Sequence, residues 1–269
     1  MNFWITEWKT ITRQKSYYSF LLLWVAVFSL LFLLESNNSG LVGYTNITGT
    51  IVNIILYLLP LFMMLIGSFS IANEVENGQW SLLCTYPVGI PAYILGKFLG
   101  LFSSQVIMFT FSFGISMLLG LTAGISQSVK WLLDIYLFSL LLIIAFLILG
   151  IFFGTVVESR WKALIVSVTA WFFLIMIWPT ALIAFLGLIP YPLIAVIMKI
   201  ALFLNPAEFF RVFLISKWNS GSIFGQTYDS IVQLFHSGAG WFLLISYLLA
   251  YLFLFAALSN FFLWRRRQK

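Results

Sequence analysis

The side chains that could carry chemistry in this sequence are few and far apart. There is one cysteine, Cys84, and one histidine, His236. A zinc or copper cluster built on Cys and His needs several such ligands, and an H-E-x-x-H site needs two histidines. No metal centre is therefore expected, and His236 reads as a surface residue. Seven methionines could offer thioether ligands, but Met63 and Met64 are the only adjacent pair. Methionine is also ordinary filling in a packed helix. A phosphate loop of the form G-x-x-x-x-G-K-[ST] is missing. Gly96-Lys97 is followed by Phe98, which has no hydroxyl to hold magnesium. The chain is thus not expected to bind ATP in that way, and no cofactor of its own is expected. What remains is a closely spaced acidic pair, Glu74 and Glu76, with Lys97 some twenty residues on.

The elements that must position these groups are set by composition. Hydrophobic residues make up 62% of the 269 and charged residues only 8%. A soluble domain carries about 25% charged residues, so the bilayer is the natural solvent. Aromatics at 19% suit lipid-facing surfaces and interfacial belts. A helix needs about 20 apolar residues to cross the hydrocarbon. Six windows qualify: Tyr17–Leu34, Ile51–Ala72 with Pro60 inside, Ile94–Leu121, Leu133–Val156, Leu164–Leu188 with Pro179 inside, and Trp241–Leu263. Lipid cannot satisfy backbone polar groups, so these runs must be helices or a closed barrel. Their continuous Leu- and Phe-rich character lacks the alternation of a barrel. The expectation is an all-α integral membrane protein, a single transmembrane domain over residues 1–269, without repeats or linkers. The first run is too long for a signal sequence core and reads as a retained span.

Basic residues orient the bundle. With six spans, Lys9, Arg13, Lys15, Lys97, Arg160, Lys162, Arg265, Arg266, Arg267 and Lys269 fall on one side. Lys130, Lys199, Arg211 and Lys217 fall on the other. The positive-inside rule makes the first side cytoplasmic, so both termini are expected there, and the charge serves topology rather than nucleic-acid binding. Tyr191–Leu204 is too short for a span and bounded by prolines, so it reads as a re-entrant or interfacial helix in an outer loop over residues 189–240. At the N-terminus Trp4, Trp8 and Ile11 share one helical face, with Thr6, Lys9 and Arg13 opposite. This predicts an amphipathic helix in the cytoplasmic interface. Midplane charges are nearly absent, which disfavours a carrier driven through buried ionisable groups. Lys97 and Asp134 are expected to reach water at span ends. The pairs Gly96/Gly100 and Gly150/Gly154 would allow close helix contact.

The segment from Asn73 to Lys97 is the most informative. Glu74 and Glu76 are read as opening a short helix, where they would suit its positive end. Trp80, Leu83 and Cys84 would form its apolar face. Pro87 cannot continue a helix, so a turn follows. Lys97 would mark the mouth of the third span. The expected product is a stiff amphipathic knob on which a soluble partner could dock. A merely solvated loop would account for the charges, but not for an apolar face followed by a proline stop.

This segment resembles the ABC-2 family of ABC transporter permeases. Glu74, Glu76, Gly78, Leu82, Leu83, Pro87, Gly96 and Lys97 fit that pattern in order. A closer likeness is to the permeases of nitrous-oxide-reductase maturation transporters. It rests on Leu83 to Lys97, with Thr85-Tyr86-Pro87 and Gly96-Lys97-Phe98, and on Asn205-Pro206-Ala207-Glu208-Phe209-Phe210-Arg211. In one departure, Ile90-Pro91 stands where members often carry Arg or Lys. The resemblance implies a six-span exporter-type subunit of a bacterial cell membrane that performs no bond chemistry. It also implies a second permease copy or a related permease, and two copies of an ABC ATPase that hold the ATP and magnesium. Glu74, Glu76, Gly78, Trp80, Leu83, Pro87 and Lys97 would then form the ATPase-coupling segment, supported by the interfacial helix of Trp4, Trp8 and Ile11. Asn205, Pro206 and Arg211 would form an outer loop motif, and an extracytoplasmic accessory protein would be a further partner. The cargo would serve copper-site assembly. Export of a peptide antibiotic or lipid-linked molecule, and a non-transporting sensor or scaffold, stay open at this point.

Overall fold

The computed structural model describes residues 3–36, 46–86, 89–122, 128–218 and 229–268. In chain order the helices are α1 (Phe3–Thr12), α2 (Lys15–Ser36), α3 (Asn46–Glu76), α4 (Gln79–Thr85), α5 (Ile90–Thr122), α6 (Val129–Val156) and α7 (Arg160–Trp171). A π-helical turn (Phe172–Ile177) leads into α8 (Trp178–Leu186). Then follow α9 (Tyr191–Leu204), α10 (Pro206–Lys217), α11 (Asp229–His236) and α12 (Ala239–Arg267).

Five of the six predicted windows lie inside single helices, α2, α3, α5, α6 and α12. The fifth window is composite, because α7, the π turn and α8 run on from one another. By length and composition five stretches can cross a membrane, and two bent helix pairs bring the number to as many as seven. Six spans fit within that range. One bent pair is α1 with α2, at 71°, the geometry of an interfacial helix turning into a span. The other is α9 with α10, at 106°.

The centre of the bundle is α6, whose most apolar stretch is 72% buried, against 6% for the α7–α8 span and 11% for α12. Those two outer spans therefore present most of their surface to lipid or to another chain. α6 reaches the centre through glycine. A Cβ on Gly150 would sit 2.5 Å from the Met64 carbonyl oxygen, and one on Gly154 2.6 Å from that of Ser68. Any side chain there would push α3 away, so this pair serves close helix contact, as its spacing suggested. The Ser68 hydroxyl also accepts from Ser167 of α7 at 2.9 Å. α2 is fixed to α5 by serine hydroxyls: Ser112 donates to the Leu21 carbonyl and Ser116 to that of Val25, at 3.2 and 3.0 Å. Between them Trp24, Phe28, Phe109 and Phe113 pack edge to face.

Two prolines interrupt spans. Pro60 in α3 removes the N–H that would meet the Leu56 carbonyl, and one residue on Trp171 Nε1 donates to the Tyr57 carbonyl at 2.8 Å, tying the π-turn region to α3.

The region beyond span five departs from an outer loop. α10 is buried along nearly its whole length, from Pro206 and Ala207 through Phe209, Phe210 and Val212 to Ser216. It packs on α6 and α11. Glu208, Arg211 and Lys217 are its only half-buried positions, so α10 is packed into the bundle rather than laid on its surface, and with α9 it forms a bent pair that fits a broken span or a re-entrant loop. His236 is exposed at the end of α11, as expected.

Candidate coupling site

α3 runs on past Pro60 for about four turns and ends at Glu76. Glu74 and Glu76 therefore close a long helix and do not open the short one, which has no acidic residue in its first turn. This corrects the helix-start reading. A carboxylate at a helix C-terminus faces the negative end of the macrodipole, so each needs a cation. Gly78 makes the reversal, with φ of 73°, a conformation that costs other residues a steric penalty. α4 then folds back. Pro87 lies outside the described residues.

Lys97 is also corrected. It was expected to reach water, yet it is 2% exposed. Its Nζ lies 2.9 Å from Glu7 Oε1 and in contact with Glu74 Oε1. Glu74 Oε2 accepts from the Tyr93 hydroxyl, and the ammonium stands 5.5 Å from the Tyr93 ring centroid. Tyr93, Lys97 and Gly100 follow one another at helical spacing, so a single face of α5 supplies all three. A Cβ on Gly100 would come within 2.5 Å of Glu7 Cβ. The missing side chain is what lets α1 lie on α5. Trp4 Nε1 donates to Ser103 Oγ one turn further on, at 3.0 Å. Trp8 and Ile11 are half-buried beneath α1, while Lys9 and Arg13 are exposed. The predicted faces are present from Trp8 onward, whereas Trp4 is 47% exposed and touches α5 through its indole N–H.

One cation thus serves two carboxylates from different helices. Removing one member of a buried ion pair typically costs about 3–5 kcal/mol, because the partner is left charged and dry. The cluster therefore fixes α1, the end of α3 and the start of α5 as one piece.

α4 is mounted on that piece. Trp80 is buried and meets the Tyr93 ring edge to face at 5.3 Å. Leu83 and Cys84 are half-buried against the same core. Arg267, near the end of α12, donates to the Cys84 carbonyl at 3.2 Å. The predicted apolar face exists, but it faces this chain. The outward face carries Gln79, Ser81, Leu82, Thr85 and Tyr86, with Leu82 66% and Tyr86 63% exposed. Glu76 stands apart from the cluster. It accepts from the Arg160 backbone N–H at 2.7 Å, with the guanidinium Nε at 4.0 Å, and both side chains are about half exposed.

Of the coupling residues read from the sequence, Glu74, Trp80, Leu83 and Lys97 come together. Sequence reasoning misses Glu7, Tyr93, Leu82 and Tyr86 as site residues. Glu7 carries a usable signal, since it lies on the Trp4–Trp8–Ile11 face and a carboxylate there calls for a buried cation. Asn205 and Pro206 lie away from this site, with Asn205 buried against Leu174 about midway along the α7–α8 span. Arg211 pairs with Glu208 at 2.5 Å. Among the described residues no three or more His, Cys, Asp or Glu gather as a metal site.

A helical membrane bundle with a short helix folded back between its second and third spans is matched by a family model described as ABC-2 family transporter protein, over residues 1–263. The chain belongs to the ABC-2 family. It is similar to a probable ABC transporter permease protein NosY of Pseudomonas aeruginosa, with 28% identity over 219 residues, 75% of this chain and 79% of the relative. A protein of the same description from Stutzerimonas stutzeri is 27% identical over 218 residues, with the same shares. This ABC-2 permease is accordingly a multi-pass membrane protein and the membrane subunit of an ABC transporter, related to NosY. It is a transport subunit rather than an enzyme, and it works with an ABC ATPase.

Proposed function

We propose that this permease couples ATP hydrolysis on two copies of a separate ABC ATPase to outward movement of a substrate, through the exposed face of α4. The observation that carries the reading is the combination of Leu82 on α4 and Tyr86 at its C-cap, both exposed, with a helix whose other face is fixed to the bundle. An apolar pair on a rigid mount is what a docking partner needs, because little ordering entropy is lost on contact. ATP and magnesium sit on the ATPase, and this chain supplies no cofactor. α4, α1 and the Arg265–Arg267 end lie at one end of the bundle, tied by Glu7, Lys97 and Arg267. Ten of the basic residues belong to that side, so it is cytoplasmic and both termini lie there. The poorly buried α7–α8 and α12 spans suit a second permease copy and the lipid bilayer. The likeness of Thr85–Pro87 and Asn205–Arg211 to the maturation permeases, with the NosY relatives, supports a cargo for copper-site assembly in an extracytoplasmic reductase. An accessory protein would receive it on the outer side of a bacterial cell membrane.

The test is co-purification. Leu82→Asp and Tyr86→Ala should leave permease level and melting unchanged, since both side chains are exposed. Each should weaken capture of the ATPase by about tenfold or more, the loss expected at an interface hot spot of about 2 kcal/mol. Normal capture by both variants would sink the docking assignment.

A further inference from the structure

Pro179 and Asn205 are 26 residues apart in sequence and belong to different elements, yet they solve one problem together. At the π turn the Trp178 N–H turns to the Phe173 carbonyl, five residues back. The Leu174 carbonyl therefore loses its helical donor four residues on. Its donor five residues on would be residue 179, and proline has no N–H. Within a membrane span no water is at hand, and a bare carbonyl is costly.

Asn205 fills the gap. Its side chain is fully buried, and its Nδ2 donates to the Leu174 carbonyl at 2.6 Å. Its Oδ1 accepts from the Ala207 backbone N–H at 3.0 Å, which caps the start of α10. Both halves of the amide are thus used, and the two neighbours demand the same orientation of it. Pro206 holds Asn205 in extended backbone, with φ and ψ of −109° and 108°. That conformation makes the corner between α9 and α10. α10 in turn stacks Phe209 on Tyr247 of α12 at 4.1 Å.

We propose that Asn205 is a positioning residue that locks the α9–α10 hairpin to the break in span five by replacing the N–H that Pro179 removes. π turns inside α-helices are frequent at functional sites. Through this amide, any reorientation of α8 against α7 moves the corner of the hairpin, and with it α10. The role in transport rests on the permease reading above, whereas the lock itself does not.

The experiment is a cycle of four full-length proteins: the parent, Asn205→Ser, Pro179→Ala and the double variant. Serine keeps the capping acceptor for α10 but is too short to reach the Leu174 carbonyl. Alanine at 179 restores a backbone donor. Asn205→Ser should lower the melting temperature by about 3–8 °C in the parent, the scale of one orphaned buried acceptor. In the Pro179→Ala background it should have little effect. If Asn205→Ser reaches the membrane poorly, rescue of its membrane level by Pro179→Ala is the same readout. Equal losses in both backgrounds would overturn the lock. ATP hydrolysis by the complex assembled with its ATPase should fall in Asn205→Ser and return in the double variant. Coupled melting with unchanged hydrolysis would overturn the positioning role. Failure of all four proteins to capture an ATPase would refute the permease reading, while the melting cycle still decides the lock.

Discussion

At the end of the bundle that carries α4, two carboxyl side chains and a lysine from three helices meet in a buried cluster. Away from that end the α9–α10 hairpin is held by a neutral amide and by packed rings, with Phe209 stacked on Tyr247 and edge to face with Phe210 and Phe235. Both arrangements join segments distant in sequence, and they differ in how they respond to loss. A charge left alone in a dry site must be neutralised or reached by water. An amide left alone costs one hydrogen bond. The charged end is therefore stiff and unforgiving, which suits a mount for a docking helix. The neutral region can part and re-form at modest cost, which suits a segment that moves.

The contrast can be broken at its strongest point. Lys97→Met strands Glu7 and Glu74 against each other and should cost about 3–5 kcal/mol, seen as lost membrane level and a lower melting temperature. Adding Glu7→Gln and Glu74→Gln to it should recover much of that loss, since a neutral cluster needs no counter-charge. If Lys97→Met alone melts like the parent, the cluster does not organise this end.

A second cut separates the two faces of α4. Trp80→Ala removes a buried ring that rests on Tyr93, and truncating a core Trp costs about 3–5 kcal/mol, somewhat less at a partly open site. Its effect should appear in the isolated permease as lower stability, before any ATPase is added. An isolated Trp80→Ala permease with parental stability but poor ATPase capture would show instead that the ring faces the partner.

The smallest effects sharpen the difference between neighbours. Glu74→Gln should destabilise the permease by about 1.5–3 kcal/mol, the range for a hydrogen bond to a charged group. Glu76→Gln touches a half-exposed pair with Arg160 and should cost no more than about 1 kcal/mol. Denaturation of the two variants side by side checks this, and equal losses would mean that burial of the cluster is not what sets its strength.

Much of this protein is legible in its residues alone. Long apolar runs dictate helices because no other open backbone survives in lipid, so α2, α3, α5, α6 and α12 follow from composition. The Trp4–Trp8–Ile11 face, the glycine pair at 150 and 154, and the existence of a separate short helix over 191–204 are likewise written in spacing and length. Tertiary structure alone decides which way a short amphipathic helix turns its apolar face. Trp80 and Leu83 look the same whether they bury into their own chain or into a partner, because periodicity names a face but not its neighbour. Packing also assigns the carboxylates. Glu74 and Glu76 are two residues apart and read alike, yet the end of α3 aims one at Lys97 and the other at Arg160. The same holds for the pairing of Glu7 with Lys97 across 90 residues, and of Asn205 with Leu174 across 31. Local sequence sets helices through short-range sterics and hydrogen bonds, whereas ion pairs and orphaned carbonyls find their partners only once the packed bundle has brought distant segments together.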